Sequence, residues 1–130
     1  MILLDTHVAV WLLTDPAKLS RNAHDAILRA RRTGENLCLS PVSLYELAYA
    51  AVRNRLPLNS KTMEFIAALQ SIVQLAPLSA EIAVYAAELP EPFHGDPIDR
   101  IIAATATVEG MTLITKDGKI RQSNVCKCIW

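Results

Sequence analysis

Residues 2–6 read Ile-Leu-Leu-Asp-Thr, a run of apolar side chains that ends abruptly in two polar ones. Such a run is typical of a buried parallel strand, because helices cover both faces of the strand. Further strands are predicted over Leu37 to Leu39, Val73 to Ala76, Thr112 to Thr115 and Val125 to Ile129. The pattern therefore predicts a sheet of about five strands.

Helices are predicted in most of the intervals between these strands. With their expected caps, they cover His7 to Leu13, Ser20 to Arg32, Ser40 to Asn54, Ser60 to Ser71, Ser79 to Leu89 and Asp96 to Glu109. Ser40 and Asp96 each precede a proline, as a capping residue often does at a helix start, whereas Asp117-Gly118 is expected to be a turn. The alternation predicts one α/β domain over residues 1–130 with a mainly parallel central sheet.

Composition narrows the class of protein. The 130 residues are 52% hydrophobic, enough for a core, but no apolar run reaches the length of a membrane span. The N-terminal residues lack the features of a secretory signal, so we expect a cytoplasmic protein. The charges of its 13 basic and 13 acidic residues cancel, so the net charge does not support a protein that coats nucleic acid. Cys38, Cys126 and Cys128 suggest neither a disulfide framework nor a zinc site.

Acidic residues occur where several of the predicted strands end. Asp5 directly follows the first strand, and Asp117 lies just beyond the strand that ends at Thr115. Glu46 lies on the helix after the second strand, and Asp99 is near the start of another helix. Ligands of open parallel sheets bind beyond the carboxyl ends of the strands, so we expect these acids to face one site.

Each of these acids also has a purely structural interpretation. Asp5 or Thr6 could cap the following helix, and Asp96 could cap the helix that begins at Pro97. Asp99 could complement the dipole of that helix, while Asp117 could belong to an ordinary turn.

Glu46 is the acid least easily explained by structure alone. It is the only charged residue between Pro41 and Val52, and its neighbours one turn away are Val42, Ser43, Tyr49 and Ala50. The apolar helix is predicted to be buried, where an unpaired charge is costly. Glu46 is therefore a candidate site residue.

Carboxylates that converge on one point need a counter-ion. Two unit charges about 4 Å apart repel by about 4 kcal/mol at an effective dielectric near 20. Ligand sets made only of oxygen select hard ions such as Mg²⁺ or Mn²⁺. Because such ions stabilise the attacking and leaving oxygens of phosphodiester cleavage, hydrolysis of a phosphodiester is the natural use of this pattern.

Four stretches together resemble toxins of the VapC kind, which belong to the PIN-domain family. The resemblance covers residues 3–16, residues 40–47, which end in Tyr-Glu-Leu, residues 96–106, which begin Asp-Pro-Ile-Asp-Arg, and residues 113–117, Leu-Ile-Thr-Lys-Asp. All four acids occur in the family's order and spacing across nearly the whole chain.

The resemblance implies a three-layer α/β/α fold and an endoribonuclease that depends on Mg²⁺ or Mn²⁺. Asp5, Glu46, Asp99 and Asp117 would form the metal centre, supported by Thr6, and Asp96 ranks below Asp99. It also implies a homodimer, an RNA substrate and a VapB-like antitoxin. The stretches between residues 55 and 91 and after residue 122 match only loosely, so RNA choice and antitoxin fit do not carry over.

Other functions stay open from the sequence. A catalytically silent PIN-like module that binds RNA or protein is the main alternative. A dehalogenase-like phosphotransferase would need an acid where His7 stands, and a receiver domain would need an acidic pair after the first strand. His7 could contact the substrate or serve only at the helix start, and His94 could contact RNA or lie in an ordinary loop.

Overall fold

The computed structural model describes residues 1–90, 93 and 95–130 and contains a five-stranded sheet in the order β3-β2-β1-β4-β5, with every pair of neighbours parallel. The strands are β1 Ile2–Leu4, β2 Leu37–Leu39, β3 Gln74–Leu75, β4 Thr112–Ile114 and β5 Cys128–Ile129. The predicted α/β class and the parallel sheet of about five strands are confirmed. β3 and β5 are shorter than expected.

Helices connect the strands. They are α1 Thr6–Thr14, α2 Arg21–Thr33, α3 Pro41–Val52, α4 Thr62–Gln70, α5 Ala80–Glu88, α6 Pro97–Val108 and α7 Gly118–Ser123. The first six match the predicted helices to within a few residues at each end, whereas α7 replaces the expected turn at Asp117-Gly118. Among the described residues, no helix is long and apolar enough to cross a bilayer.

Alternating side chains of the strands divide the core between the two faces of the sheet. On β1, Leu4 belongs to one cluster with Ile27 of α2 and Leu69 of α4. Leu3 belongs to the opposite cluster with Ile102 of α6 and Ile120 of α7. Helices therefore cover both faces, which gives the three α/β/α layers.

The path of the chain leaves a crevice beside the central strand. From β1 the chain builds outward through β2 to β3, and it then crosses over to continue with β4 on the other side of β1. Leu4, the last residue of β1, pairs with Leu39 on one side and Ile114 on the other. The residues that follow β1 and β4 therefore emerge side by side at a topological switch point, where parallel sheets bind ligands.

One local prediction was wrong, and a second was confirmed only in part. Asp117 is the N-cap of α7, and its side chain accepts a hydrogen bond from the backbone of Ile120. Ser40 stands before Pro41 as predicted, but its hydroxyl does not cap α3 and has no hydrogen-bond partner within the described residues. The backbone N–H of Ser43, which an N-cap hydroxyl could bind, donates instead to the Ser40 carbonyl at 3.0 Å.

Candidate active site

A cavity of about 290 Å³ lies beyond the carboxyl ends of β1 and β4. It is lined by Asp5, His7, Trp11, Glu46, Asp96, Asp99, Lys116 and Asp117. The lining includes all four acids predicted for the site, together with Asp96. Acids that are far apart in sequence thus share one cavity because α1, α3, α6 and the segment after β4 all begin at this edge of the sheet.

Asp5 is the most firmly held of the acids. It is 7% exposed, and its backbone N–H continues the pairing of β1 by donating to the carbonyl of Ile114 at 3.0 Å. Its Oδ1 accepts from the backbone N–H of Thr6 at 2.7 Å, and its Oδ2 accepts from the hydroxyl of Thr115 at 2.6 Å. Asp5 therefore caps α1 and lines the cavity at once, and each carboxylate oxygen keeps a second lone pair.

Thr115 is a residue of the site that the sequence did not single out. It is fully buried, and its hydroxyl donates to Asp5 while accepting from the backbone N–H of Asp117 at 3.0 Å. One side chain thus joins two of the acids. The available signal was its position directly after β4, which matches the position of Asp5 after β1.

Thr6 contributes to the site through both its backbone and its side chain. Its backbone N–H supports Asp5, whereas its hydroxyl donates to the hydroxyl of Ser43 on α3 at 2.9 Å. This buried contact joins the start of α1 to the first turn of α3. Because Glu46 lies three residues beyond Ser43, the contact fixes the helix that carries Glu46 beside Asp5.

Glu46 lines the cavity, but the prediction that its helix is buried was wrong. The helix α3 is not buried all round, since Tyr45 is 67% exposed and Val52 is 66% exposed. Glu46 itself is half-buried. Its place in the cavity follows from the orientation of α3 toward the ends of the strands rather than from a buried helix.

The start of α6 brings two acids to the cavity. Asp96 is exposed and caps the helix, because its Oδ1 accepts from the backbone N–H of Ile98 at 2.8 Å. Asp99 lies in the first turn of the helix and is half-buried. Further along, Ala103 and Ala106 are buried in the cluster that contains β1 and β4 side chains. These small side chains let α6 approach the sheet closely.

One rim of the cavity is aromatic and basic. The His7 and Trp11 rings have centroids 6.0 Å apart, and the Lys116 Nζ lies 5.8 Å from the centroid of the Trp11 ring. His7 and Lys116 are exposed, and Trp11 is half-buried. The sequence did not single out Trp11 or Lys116. His94, the other histidine considered for contact with RNA, lies outside the described residues.

The donor chemistry of the cavity fits a hard divalent cation. Five carboxylates line it, and carboxylate oxygens are the ligands that Mg²⁺ and Mn²⁺ prefer. Within the part of the chain that the structure describes, however, no three His, Cys, Asp or Glu side chains stand close enough together to hold a metal ion. The carboxylates share one cavity, but they lie farther apart than coordination of one metal ion requires.

Comparison with known proteins agrees with the observed fold. A family model described as PIN domain matches residues 2–125. The chain is 37% identical over 120 residues to ribonuclease VapC22 of Mycobacterium tuberculosis, covering 92% of this chain and 89% of that protein.

Solved structures share the fold at lower identity. VapBC2 of Rickettsia felis, bound to a DNA fragment from its promoter, superposes with a TM-score of 0.76 at 18% identity and covers 99% of this chain and 98% of that chain. VapC20 of Mycobacterium tuberculosis, a toxin that cleaves the sarcin-ricin loop, gives 0.63 at 17% identity, with 95% of each chain covered. At these identities the likeness concerns the fold alone.

Proposed function

The chain belongs to the PIN-domain family, and on that premise we propose that it is a metal-dependent endoribonuclease acting as the toxin of a toxin–antitoxin pair. The observation that carries the proposal is the cavity at the switch point of the sheet, where five carboxylates meet one lysine. The 37% identical relative is named a ribonuclease, which supports RNA as the substrate.

We assign Asp5, Glu46, Asp99 and Asp117 as the residues that hold Mg²⁺ or Mn²⁺. Their oxygens are hard ligands, and each acid reaches the cavity from a different segment of the chain. When bound, the ion supplies Lewis-acid stabilisation for the attacking and leaving oxygens of the phosphodiester. Asp96 is assigned to the helix start, because its side chain is exposed and caps α6, whereas the four assigned acids are buried or half-buried.

The hydrogen bonds around Asp5 prepare the site in advance. Its two oxygens are oriented by Thr6 and Thr115, so little side-chain entropy is left to lose when a ligand binds. Thr115 also holds the backbone of Asp117, and the two acids therefore keep their relative position. Supporting hydrogen bonds of this kind affect metal affinity and activity through the orientation of the ligands.

The aromatic and basic rim suits a nucleotide. Lys116 supplies positive charge for a phosphate beside acids that would otherwise repel RNA. The Trp11 ring beside it offers a flat apolar face of the kind on which bases stack. We assign both residues to RNA binding, with the exposed His7 at the same rim.

The partners we propose are a VapB-like antitoxin and a second copy of the chain. Several large apolar side chains on α3 and α4 are exposed, and contiguous exposed apolar surface is commonly an interface. They are Tyr45, Tyr49, Val52 and Met63. The free thiols and the RNA substrate agree with a cytoplasmic protein.

The direct experiment is cleavage of RNA by the purified chain, freed of any partner. We expect cleavage with Mg²⁺ or Mn²⁺, loss of cleavage in EDTA and recovery when the ion is restored. The Asp99→Asn variant, purified in parallel, controls for contaminating nuclease. Cleavage that persists in excess chelator would contradict the metal mechanism. Binding of RNA without cleavage by the folded, metal-loaded protein would favour the silent binding module.

A further inference from the structure

Two cysteines face each other beside β5, outside the lining of the carboxylate cavity. The Sγ atoms of Cys126 and Cys128 lie 3.7 Å apart and share a hydrogen bond. Both are half-buried free thiols, whereas Cys38 on β2 is fully buried. We propose that Cys126 and Cys128 form a redox-active dithiol that reacts with hydroperoxides and closes to a disulfide. The proposal does not depend on the ribonuclease activity.

The surroundings give the two thiols different roles. The hydrogen bond from the Cys126 thiol lowers the pKa of Cys128, against the effect of burial, and the charge of Arg121 lowers it further although Asp5 opposes this. The same hydrogen bond, helped by burial, raises the pKa of Cys126. When Cys128 is protonated, its thiol can donate to the Cys126 carbonyl at 3.5 Å. Cys128 is thus the nucleophile, and Cys126 keeps its proton until it resolves the intermediate.

The chemistry with hydrogen peroxide proceeds in two balanced steps. The Cys128 thiolate attacks one peroxide oxygen, the O–O bond breaks, and the departing hydroxide takes up the proton that Cys128 had released, leaving a sulfenic acid and water. The Cys126 sulfur then attacks the Cys128 sulfur, and its proton leaves with the sulfenic hydroxyl as a second water. Two thiols lose two electrons, and the peroxide gains them.

The backbone around the pair permits this closure. The two sulfurs must approach to about 2.0 Å, which rotation of the side chains and a small shift of the backbone can supply. β5 is an edge strand, paired only with β4, and edge segments adjust at low cost. The carbonyls of Val125 and Lys127 are held by Thr107 and by the Leu113 N–H, each at 2.9 Å. These bonds keep the segment attached to the sheet while the side chains rotate and the backbone between the two cysteines shifts slightly.

The first test uses the unmodified protein. Limiting iodoacetamide, followed by peptide mass spectrometry, measures the alkylation rate of each cysteine in the same sample. We expect Cys128 to react at least about tenfold faster than Cys38, because its thiolate is favoured and it is half-buried, whereas Cys38 is buried. Burial raises the pKa of Cys38 and makes it the internal control. Equal rates for the three thiols, or a faster Cys126, would overturn the assignment of roles.

The second test follows oxidation. Mild hydrogen peroxide should link Cys126 to Cys128 in the wild-type protein, and dithiothreitol should reverse the link. In Cys126→Ser, dimedone should trap a sulfenic acid on Cys128. In Cys128→Ser, dimedone should label neither residue 126 nor residue 128. Melting curves verify that both variants are folded, with Cys→Ala versions available if serine disturbs the segment. Peroxide that leaves the wild-type pair reduced, or drives Cys128 straight to sulfinic acid, would refute a dithiol site.

Discussion

At the amino ends of the strands, Glu35 pairs with the amino group of Met1 at 2.6 Å, and the two side chains are 40% and 47% exposed. At the carboxyl ends, Asp5 is 7% exposed and accepts two hydrogen bonds from neighbouring residues. Solvent stabilises the carboxylate of Glu35, whereas the carboxylate of Asp5 depends on hydrogen bonds from the protein. The same functional group is thus an ordinary surface charge at one end of the sheet and part of a prepared site at the other.

Buried polar side chains follow the same division. Among the described residues they are Asp5, Thr6, Ser40, Ser43, Thr105 and Thr115. All except Thr105 either follow the end of a strand directly or lie in the first turn of the helix beyond it. Burying a polar group is costly unless it is bonded. Four of these five side chains, Asp5, Thr6, Ser43 and Thr115, are joined by hydrogen bonds at the carboxyl ends of the strands.

The largest difference in RNA cleavage is expected between variants of two acids at the start of α6. Asp99→Asn should lower RNA cleavage on the order of a hundredfold or more, because losing a metal ligand costs several kcal/mol of transition-state stabilisation. Asp96→Asn makes the same change of charge one turn earlier but can still cap α6, since asparagine is a good N-cap. It should retain most of the activity. Cleavage rates at saturating metal measure both, and an inactive Asp96→Asn beside an active Asp99→Asn would reverse our assignment.

A second contrast concerns two buried threonines. Thr115→Val removes the hydrogen bonds to Asp5 and from Asp117, which should lower stability by about 1–3 kcal/mol and activity by about 10–100-fold. Thr105 is equally buried, but within the described part of the chain its hydroxyl bonds only to the Ile101 carbonyl of its own helix. Thr105→Val should leave activity nearly unchanged. Urea unfolding and cleavage assays on both variants check this, and similar losses of activity would mean that Thr115 has a merely structural role.

The rim of the cavity should show a smaller effect on binding. Lys116→Gln should weaken RNA binding severalfold and reduce the slope of log affinity against log salt by about 0.7, as expected when one phosphate contact with single-stranded RNA is lost. Lys119, also exposed but outside the cavity, is the matched control. Binding is measured in EDTA with Asp99→Asn as the background, so that RNA is not cut. If Lys119→Gln changed the slope equally, the contact would be non-specific.

A substitution at the amino ends of the strands should change stability and RNA cleavage least. Glu35→Gln removes an exposed ion pair, and such pairs contribute about 0–1 kcal/mol to stability. Unfolding in urea should therefore shift only slightly, and the cleavage rate should equal that of the wild type. A marked loss of cleavage in this variant would show that the two ends of the sheet do not divide function as we describe.

The sheet and the main acids could be predicted because both depend on local pattern. An apolar run that ends in Asp5-Thr6 indicates a parallel strand and its carboxyl end in one stretch of sequence. Likewise, Asp96-Pro97 indicates a helix start. These signals lie within a few residues of the feature that they predict.

Other parts of the site depend on contacts between distant segments. Thr115 bonds to Asp5 across 110 positions of sequence, and nothing next to Thr115 indicates that partner. Trp11 and Lys116 meet only because β1 and β4 are neighbours. The burial of α3 was overestimated for a related reason, since an apolar helix can face a partner molecule as well as its own core.

We expect the acids at the carboxyl ends of β1 and β4 to hold a divalent ion. Titration of Mn²⁺ into the RNA-free protein, followed by electron paramagnetic resonance, tests this without any assay of activity. We predict that the wild type and Glu35→Gln bind Mn²⁺ equally and that Asp99→Asn binds it at least about tenfold more weakly. Equal affinity in all three proteins, or no binding by the wild type, would contradict the account.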